Sequence, residues 1–361
     1  MKSKRNGEID LLRFIFAVVI VFFHFNVNYD VGLFQYGYIG VEFFFVVTGY
    51  LMAGHVYRMN ADSRDLGCIA DETWRYILKK TRSFYSYYFF AILLQAVVRY
   101  LLLKGASLTL LADKTLRSIP VFTLSFLGLD RGASSLYVSN TWYLSAMLLS
   151  IFLLYPLLLR HYKFSVEILF PILSLFLLGY LYSTYKTIRG WEKWAGFVYF
   201  GMLRAVPEIA MGASLFQLSN TAAIKESPIL RSEKLLMKGL VTACKLFCYA
   251  VVLAFAQGSA FKENFNLHAL LFCALGVMLS FSGAGYCIPD SKLTRYLGKI
   301  SLPIFTFHGV IRLTLWDHIG HKLPMPQYLA LTVGTIIACV ALMYVTDFLS
   351  TKLKQAAKKI V

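Results

Sequence analysis

Two residues on the first apolar stretch set the chemical question. Arg13 and His24 stand eleven positions apart, and eleven helical steps return to within about 20° of the starting direction over a rise of about 16 Å. A guanidinium and an imidazole therefore share one stripe of one helix at two depths. That rise, about 16 Å, is on the order of the pantetheine arm of coenzyme A, so a phosphate held near Arg13 would place a thioester near His24. A neutral imidazole suits removal of a proton from an attacking hydroxyl near neutral pH. A thiolate then leaves without a metal. The plain alternative is a core histidine with its hydrogen bonds satisfied.

Glu42 extends the argument. If the first two stretches form a hairpin centred near residue 33, positions 24 and 42 are each nine residues from its tip and share a depth. A carboxylate there could accept the second imidazole N–H and hold the ring as a neutral base. It could instead pair with Arg204 or Arg312 and only fix packing, and the sequence leaves both open. Arg13, Glu42, Arg204, Glu208 and Arg312 all fall inside apolar stretches. Unpaired at bilayer depth, five such charges would cost on the order of 15 kcal/mol, comparable to the whole stability of a domain. They must meet one another or line a polar cavity.

The elements that carry these residues are membrane helices. Of 361 residues, 58% are hydrophobic and 15% charged, and the mean hydropathy is +0.61, far from an ordinary soluble domain. Stretches near the twenty residues a bilayer needs fall at 8–28, 38–58, 82–104, 140–160, 164–183, 197–217, 236–256, 267–287, 293–317 and 327–351. The expected fold class is all-α, a polytopic bundle of about ten transmembrane helices. It forms one membrane domain over 1–361 with no appended soluble domain. A shorter apolar piece at 117–129 reads as re-entrant or interfacial. The first stretch has no small-residue cleavage pattern after it and reads as a retained helix.

An even number of spans puts both termini on one side, and basic residues name the side. Loops on the terminus side carry 22 lysines and arginines against 9 on the other, so both termini are predicted cytoplasmic. The net charge of +17 is thereby a matter of topology and not of nucleic-acid binding. Of the six cysteines, five lie in apolar stretches without disulfide or zinc spacing, and no two histidines stand at helical ligand spacing within a span. No metal site is expected.

Four segments resemble, in order, the integral-membrane acyltransferases of family 3. These are Asp10-Leu-Leu-Arg13 through His24 with Gly40-Val-Glu-Phe-Phe-Phe-Val-Val-Thr-Gly-Tyr-Leu51; Asn140-Thr-Trp-Tyr-Leu-Ser145; Arg204-Ala-Val-Pro-Glu-Ile-Ala-Met-Gly212; and Leu297-Gly-Lys-Ile-Ser-Leu-Pro-Ile-Phe-Thr-Phe-His308. The likeness spans nearly the whole chain. It implies an O-acetyltransferase of the bacterial inner membrane that modifies cell-envelope or exported glycans from acetyl-CoA. Acetyl-CoA is then a co-substrate and no cofactor is permanently bound.

Carried over by position, Arg13 and His24 match the family's signature pair. Its basic cytoplasmic motif of two arginines separated by two residues falls on Lys79 and Arg82. Lysine in the first place lacks the bidentate fork that arginine offers a phosphate. Glu42 stands where the family often has aspartate, and Ser86 falls near a usual proline. The expected roles are His24 and Glu42 in catalysis, with Arg13, Lys79 and Arg82 on the donor's phosphates. Asn140, Trp142, Arg204, Glu208, His308 and Arg312 are expected to line an outward-facing chamber for a carbohydrate or glycolipid acceptor. A secondary transporter or lipid-linked glycan flippase is the rival reading, since intramembrane charges also serve transport. No internal repeat supports it.

Overall fold

In a computed structural model the chain is built almost wholly of helices. The structure describes residues 5–29, 32–59, 66–98, 107, 109, 142–189, 194–195, 198–316 and 323–360. The long helices, in chain order, are α1 Gly7–Tyr29, α2 Ile39–Arg58, α3 Leu66–Val97, α4 Trp142–Arg160, α5 Tyr162–Tyr185, α6 Phe200–Asn220, α7 Leu235–Gln257, α8 Asn266–Ser282, α9 Lys292–Trp316 and α10 Met325–Ile360. A two-residue antiparallel pair, Trp194–Ala195 with Val198–Tyr199, precedes α6. It is the only strand pair among the described residues. Among the described residues, six helical segments are long and apolar enough to cross a membrane: α2, α4, α5, α7, α8 with the turn before it, and α10. Their outward faces carry large exposed apolar side chains, such as Leu175, Phe176, Leu246, Phe247 and Phe348. Such faces belong in contact with lipid tails.

Helix boundaries depart from hydropathy where a local signal overrides it. α3 begins at Leu66, well ahead of the expected span at 82–104. Its first turns are amphipathic, with Ile69, Thr73, Tyr76, Ile77 and Phe84 buried at three- and four-residue spacing while Trp74, Arg75, Leu78 and Lys79 face out. Such a stripe continues a helix without being apolar overall. α8 stops at Ser282, short of the expected 287, because Gly283 takes φ +71° and ends it with a left-handed cap. The apolar piece at 117–129 lies outside the described residues.

Two helix contacts position the polar interior. α2 and α6 run parallel and nearly touch, since a Cβ on Gly49 would sit 1.9 Å from the Ile209 carbonyl oxygen and one on Gly212 would sit 2.0 Å from that of Val46. Only paired glycines permit backbones to approach so closely. α1 likewise lies along α9, where Gly298 leaves room for the Asp10 carboxylate. Three apolar cores fill the bundle, and Phe44 of α2 packs against all three.

Candidate active site

α1 and α9 bring two imidazoles together inside the bundle. Nδ1 of His24 lies 3.0 Å from Nε2 of His308, and Nδ1 of His308 lies 2.9 Å from the Ile304 carbonyl oxygen. A carbonyl only accepts, so Nδ1 of His308 carries a proton and donates it. With that ring neutral, its Nε2 is an acceptor, and His24 must donate to it from Nδ1. Nε2 of His24 is then left with its lone pair, the form a general base needs. His308 is fully buried, whereas His24 is half-buried. The Arg312 and Arg189 guanidiniums lie within electrostatic reach of His24. Arg189 belongs to the loop after α5, and its guanidinium stands 5.6 Å from the Phe23 ring.

This corrects the expectation for Glu42. Its carboxylate does not reach His24 but bonds the Arg204 guanidinium, as the second of the two sequence readings had it. The Gly49 and Gly212 approach sets α2 against α6 and gives Glu42 a nearer partner than the α1 imidazole. Glu42, Arg204 and Glu208 are each no more than 1% exposed, so these three intramembrane charges converge on one another. Trp142 is buried too, with the Arg204 guanidinium 5.2 Å from its ring. It covers the ion pair and is not an open platform for a sugar. Trp142, Arg204, Glu208 and His308, expected to line an outward chamber, are each no more than 6% exposed. Asn140 lies outside the described residues.

Arg13 sits toward the other end of α1, on a side chain that is 35% exposed. A row of side chains, Tyr143 and Phe305, stands between its level and the imidazoles. Tyr143 is within electrostatic reach of Arg13, the Tyr143 ring is 5.2 Å from that of Phe305, and Phe305 is 6.1 Å from His308. Phe44 closes on both aromatic rings. From Ile39 to Tyr50 it is the one residue of α2 that is not buried.

Two cavities meet at Arg13. One, of 610 Å³, is bordered by Arg5, Arg13, Arg58, Lys225 and Arg231. The second, of 490 Å³, runs between α1, α3 and α9 past Ser83, Tyr87 and Leu302. Arg82 borders a third, of 340 Å³, with Asp347 and Lys354. Lys79 faces outward and lines none of these three. It is Lys80 that comes within electrostatic reach of Arg13, and burial there pushes its ammonium down to about 8.

A family model described as an acyltransferase domain matches residues 6–344. The chain belongs to acyltransferase family 3. No curated protein and no solved structure matches it. The match covers every helix named above as far as the middle of α10, so the imidazole pair, the Arg13 cavities and the Glu42–Arg204 pair all lie within the family region. With its apolar outward faces, this acyltransferase is an integral membrane protein.

Sequence reasoning missed two features of this acyltransferase. His308 stood among expected acceptor-binding residues, although the distance from position 24 to position 308 gave no sign that the rings bond. The cavity cations Arg58, Lys225 and Arg231 were counted only as topology signals. A clue existed, since Arg58 ends the helix that begins near Glu42, and Lys225 and Arg231 lie in the segment after the helix that begins near Arg204.

Proposed function

We propose that this membrane acyltransferase moves an acetyl group from cytosolic acetyl-CoA to a hydroxyl of a cell-envelope or exported glycan, with His24 as the base. Ten spans with both termini in the cytoplasm of a bacterial inner membrane put the Arg13 end of α1 on the donor side. The observation that carries the reading is the His24–His308 bond, which leaves a basic nitrogen on the helix stripe that begins at Arg13. The donor's phosphates pair with Arg13, and Lys79 and Arg82 add to the basic field that draws an anion to this face.

In the reaction, Nε2 of His24 takes the proton of the acceptor hydroxyl as its oxygen attacks the thioester carbonyl. The C–S bond then breaks, and the coenzyme A thiolate leaves and recovers a proton from the His24 imidazolium. His308 accepts from Nδ1 throughout, so it steadies the ring in both protonation states, the part an aspartate plays in other base-assisted acyl transfers. Glu42, Arg204 and Glu208 hold α2 to α6. The acceptor approaches from the end of α1 nearer Arg189 and Arg312.

The test is acceptor-dependent release of coenzyme A from acetyl-CoA by the purified full chain, paired with mass spectrometry of envelope glycans from cells with and without it. An added acetyl mass on a glycan supports the reading. Absence of both coenzyme A release and the mass change removes it.

A further inference from the structure

The acyltransferase reading needs a seat for the nucleotide of the donor, and the sequence points to Lys79 and Arg82. The structure points elsewhere. The 610 Å³ cavity beside α1 lies within the size range of small-molecule sites. Arg5 and Arg13 border it from α1, Arg58 from the end of α2, and Lys225 and Arg231 from the segment after α6. Among the described residues Asp10 is the one carboxylate on its border, and it is engaged by Arg5 and stands 3.8 Å from Arg13. Among the described residues no carboxylate lies within ion-pair distance of Arg58, Lys225 or Arg231.

The segment that brings the last two is folded back on itself. Nε of Arg231 donates to the Lys225 carbonyl at 3.0 Å, so both cations are presented at one wall. Two aromatic side chains also line the cavity: Tyr50 and Phe281, stacked on each other at 4.1 Å and 7°, with the Tyr50 hydroxyl held by Ser219 at 2.8 Å. Cations without an ion-pair partner among the described residues, beside aromatic side chains, suit a purine nucleotide bearing more than one phosphate group. Coenzyme A brings a pyrophosphate and a 3′-phosphomonoester, the latter at about −1.5 to −2 near pH 7. Arg13, shared between this cavity and the interior stripe, stands where the pantetheine arm must leave the nucleotide.

We infer that Arg58, Lys225 and Arg231 hold the adenosine 3′,5′-bisphosphate portion of the donor in this cavity, with Arg13 on the pyrophosphate side and Lys79 and Arg82 outside the site. The assignment rests on the acyl-CoA reading above and adds a specificity to it. A donor without the 3′-phosphate, such as an acyl-pantetheine, loses these contacts. The cavity is thereby a selector for coenzyme A thioesters over acyl groups carried on a protein-bound pantetheine.

Isothermal titration of the full chain in detergent with adenosine 3′,5′-bisphosphate tests this without turnover. The wild-type chain binds it, and binds adenosine 5′-diphosphate more weakly. Arg58→Gln, Lys225→Gln and Arg231→Gln combined weaken the bisphosphate by about tenfold or more, the scale of one lost charged hydrogen bond or above. Lys79→Gln with Arg82→Gln weakens it by less than about threefold, as expected of solvent-screened charges that do not border the cavity. The three single variants, each at an exposed position, cover the event that the triple variant misfolds. No binding by the wild type, or a loss that follows Lys79 and Arg82, overturns the assignment. Coenzyme A release by the same preparations separates the two claims: turnover with unchanged KM in the triple variant removes this placement and keeps the acyl-CoA reading, whereas no turnover by the wild type removes that reading.

Discussion

His24 and His308, 284 residues apart in sequence, share a 3.0 Å hydrogen bond whose direction is set by the Ile304 carbonyl. One backbone oxygen thus fixes the tautomer of two rings and leaves a single basic nitrogen, Nε2 of His24. The arrangement performs with two imidazoles what a carboxylate and an imidazole do elsewhere.

His308 therefore acts through His24, and its replacement should lower kcat more than it raises KM. For His308→Phe we expect a loss of about 10²-fold in kcat, within the range ascribed to a positioned base. His308→Gln offers a carbonyl oxygen near the place of Nε2 and should recover at least about tenfold of that loss. Steady-state coenzyme A release measures both. Equal losses in the two variants would mean that His308 only packs.

The Glu42–Arg204 pair is a matter of stability. Arg204→Ala leaves two buried carboxylates, Glu42 and Glu208, without their cation, and removal of one partner of a buried pair costs about 3–5 kcal/mol. Adding Glu42→Gln to Arg204→Ala should return part of that. Thermal unfolding in detergent is the measurement, and a double variant no better than the single would show that the pair is not coupled.

These outcomes bear on what the sequence can disclose. Position along α1 made the Arg13–His24 stripe legible, because helical periodicity is a local property. Hydropathy located most helices for the same reason, and it failed at α3 only where an amphipathic turn extends the helix. Partner choice was not legible. Whether Glu42 meets His24 or Arg204 depends on the closeness of α2 to α6, which Gly49 and Gly212 decide, and two isolated glycines 163 positions apart carry no mark of facing each other. Nor could charge counts separate cations that orient helices from those that border a cavity.

The glycine contact is itself testable. Gly49→Val or Gly212→Val places methyl groups against a carbonyl oxygen where even a Cβ has no room, and overpacking of this kind costs about 1–3 kcal/mol or more. Gly239 of α7 has open space around it. Gly239→Ala should be neutral, or stabilising by up to about 1 kcal/mol from helix propensity. Melting temperatures that fall as far for Gly239→Ala as for Gly49→Val would contradict the account of the α2–α6 contact.

Lys80 gives the donor step a pH dependence. It lies ahead of the apolar part of α3, over the Tyr76 ring and near Arg13, and burial pushes its ammonium down to about 8. The side chain is charged below that pH and neutral above it, so attraction for the donor's phosphates falls as pH rises through about 8. The kcat/KM profile for acetyl-CoA reports the free enzyme and should decline there. Lys80→Arg keeps its charge at all these pH values and should remove that decline. An unchanged profile in Lys80→Arg would assign the decline to another group.

The most direct test is the rate of coenzyme A release by His24→Ala, prepared as folded full-length protein beside the wild type and assayed at saturating acetyl-CoA with acceptor. The account predicts a fall of about 10²-fold or more, the contribution of a positioned general base, with binding of coenzyme A retained because Arg13 is untouched. A near-wild-type rate in His24→Ala would contradict it.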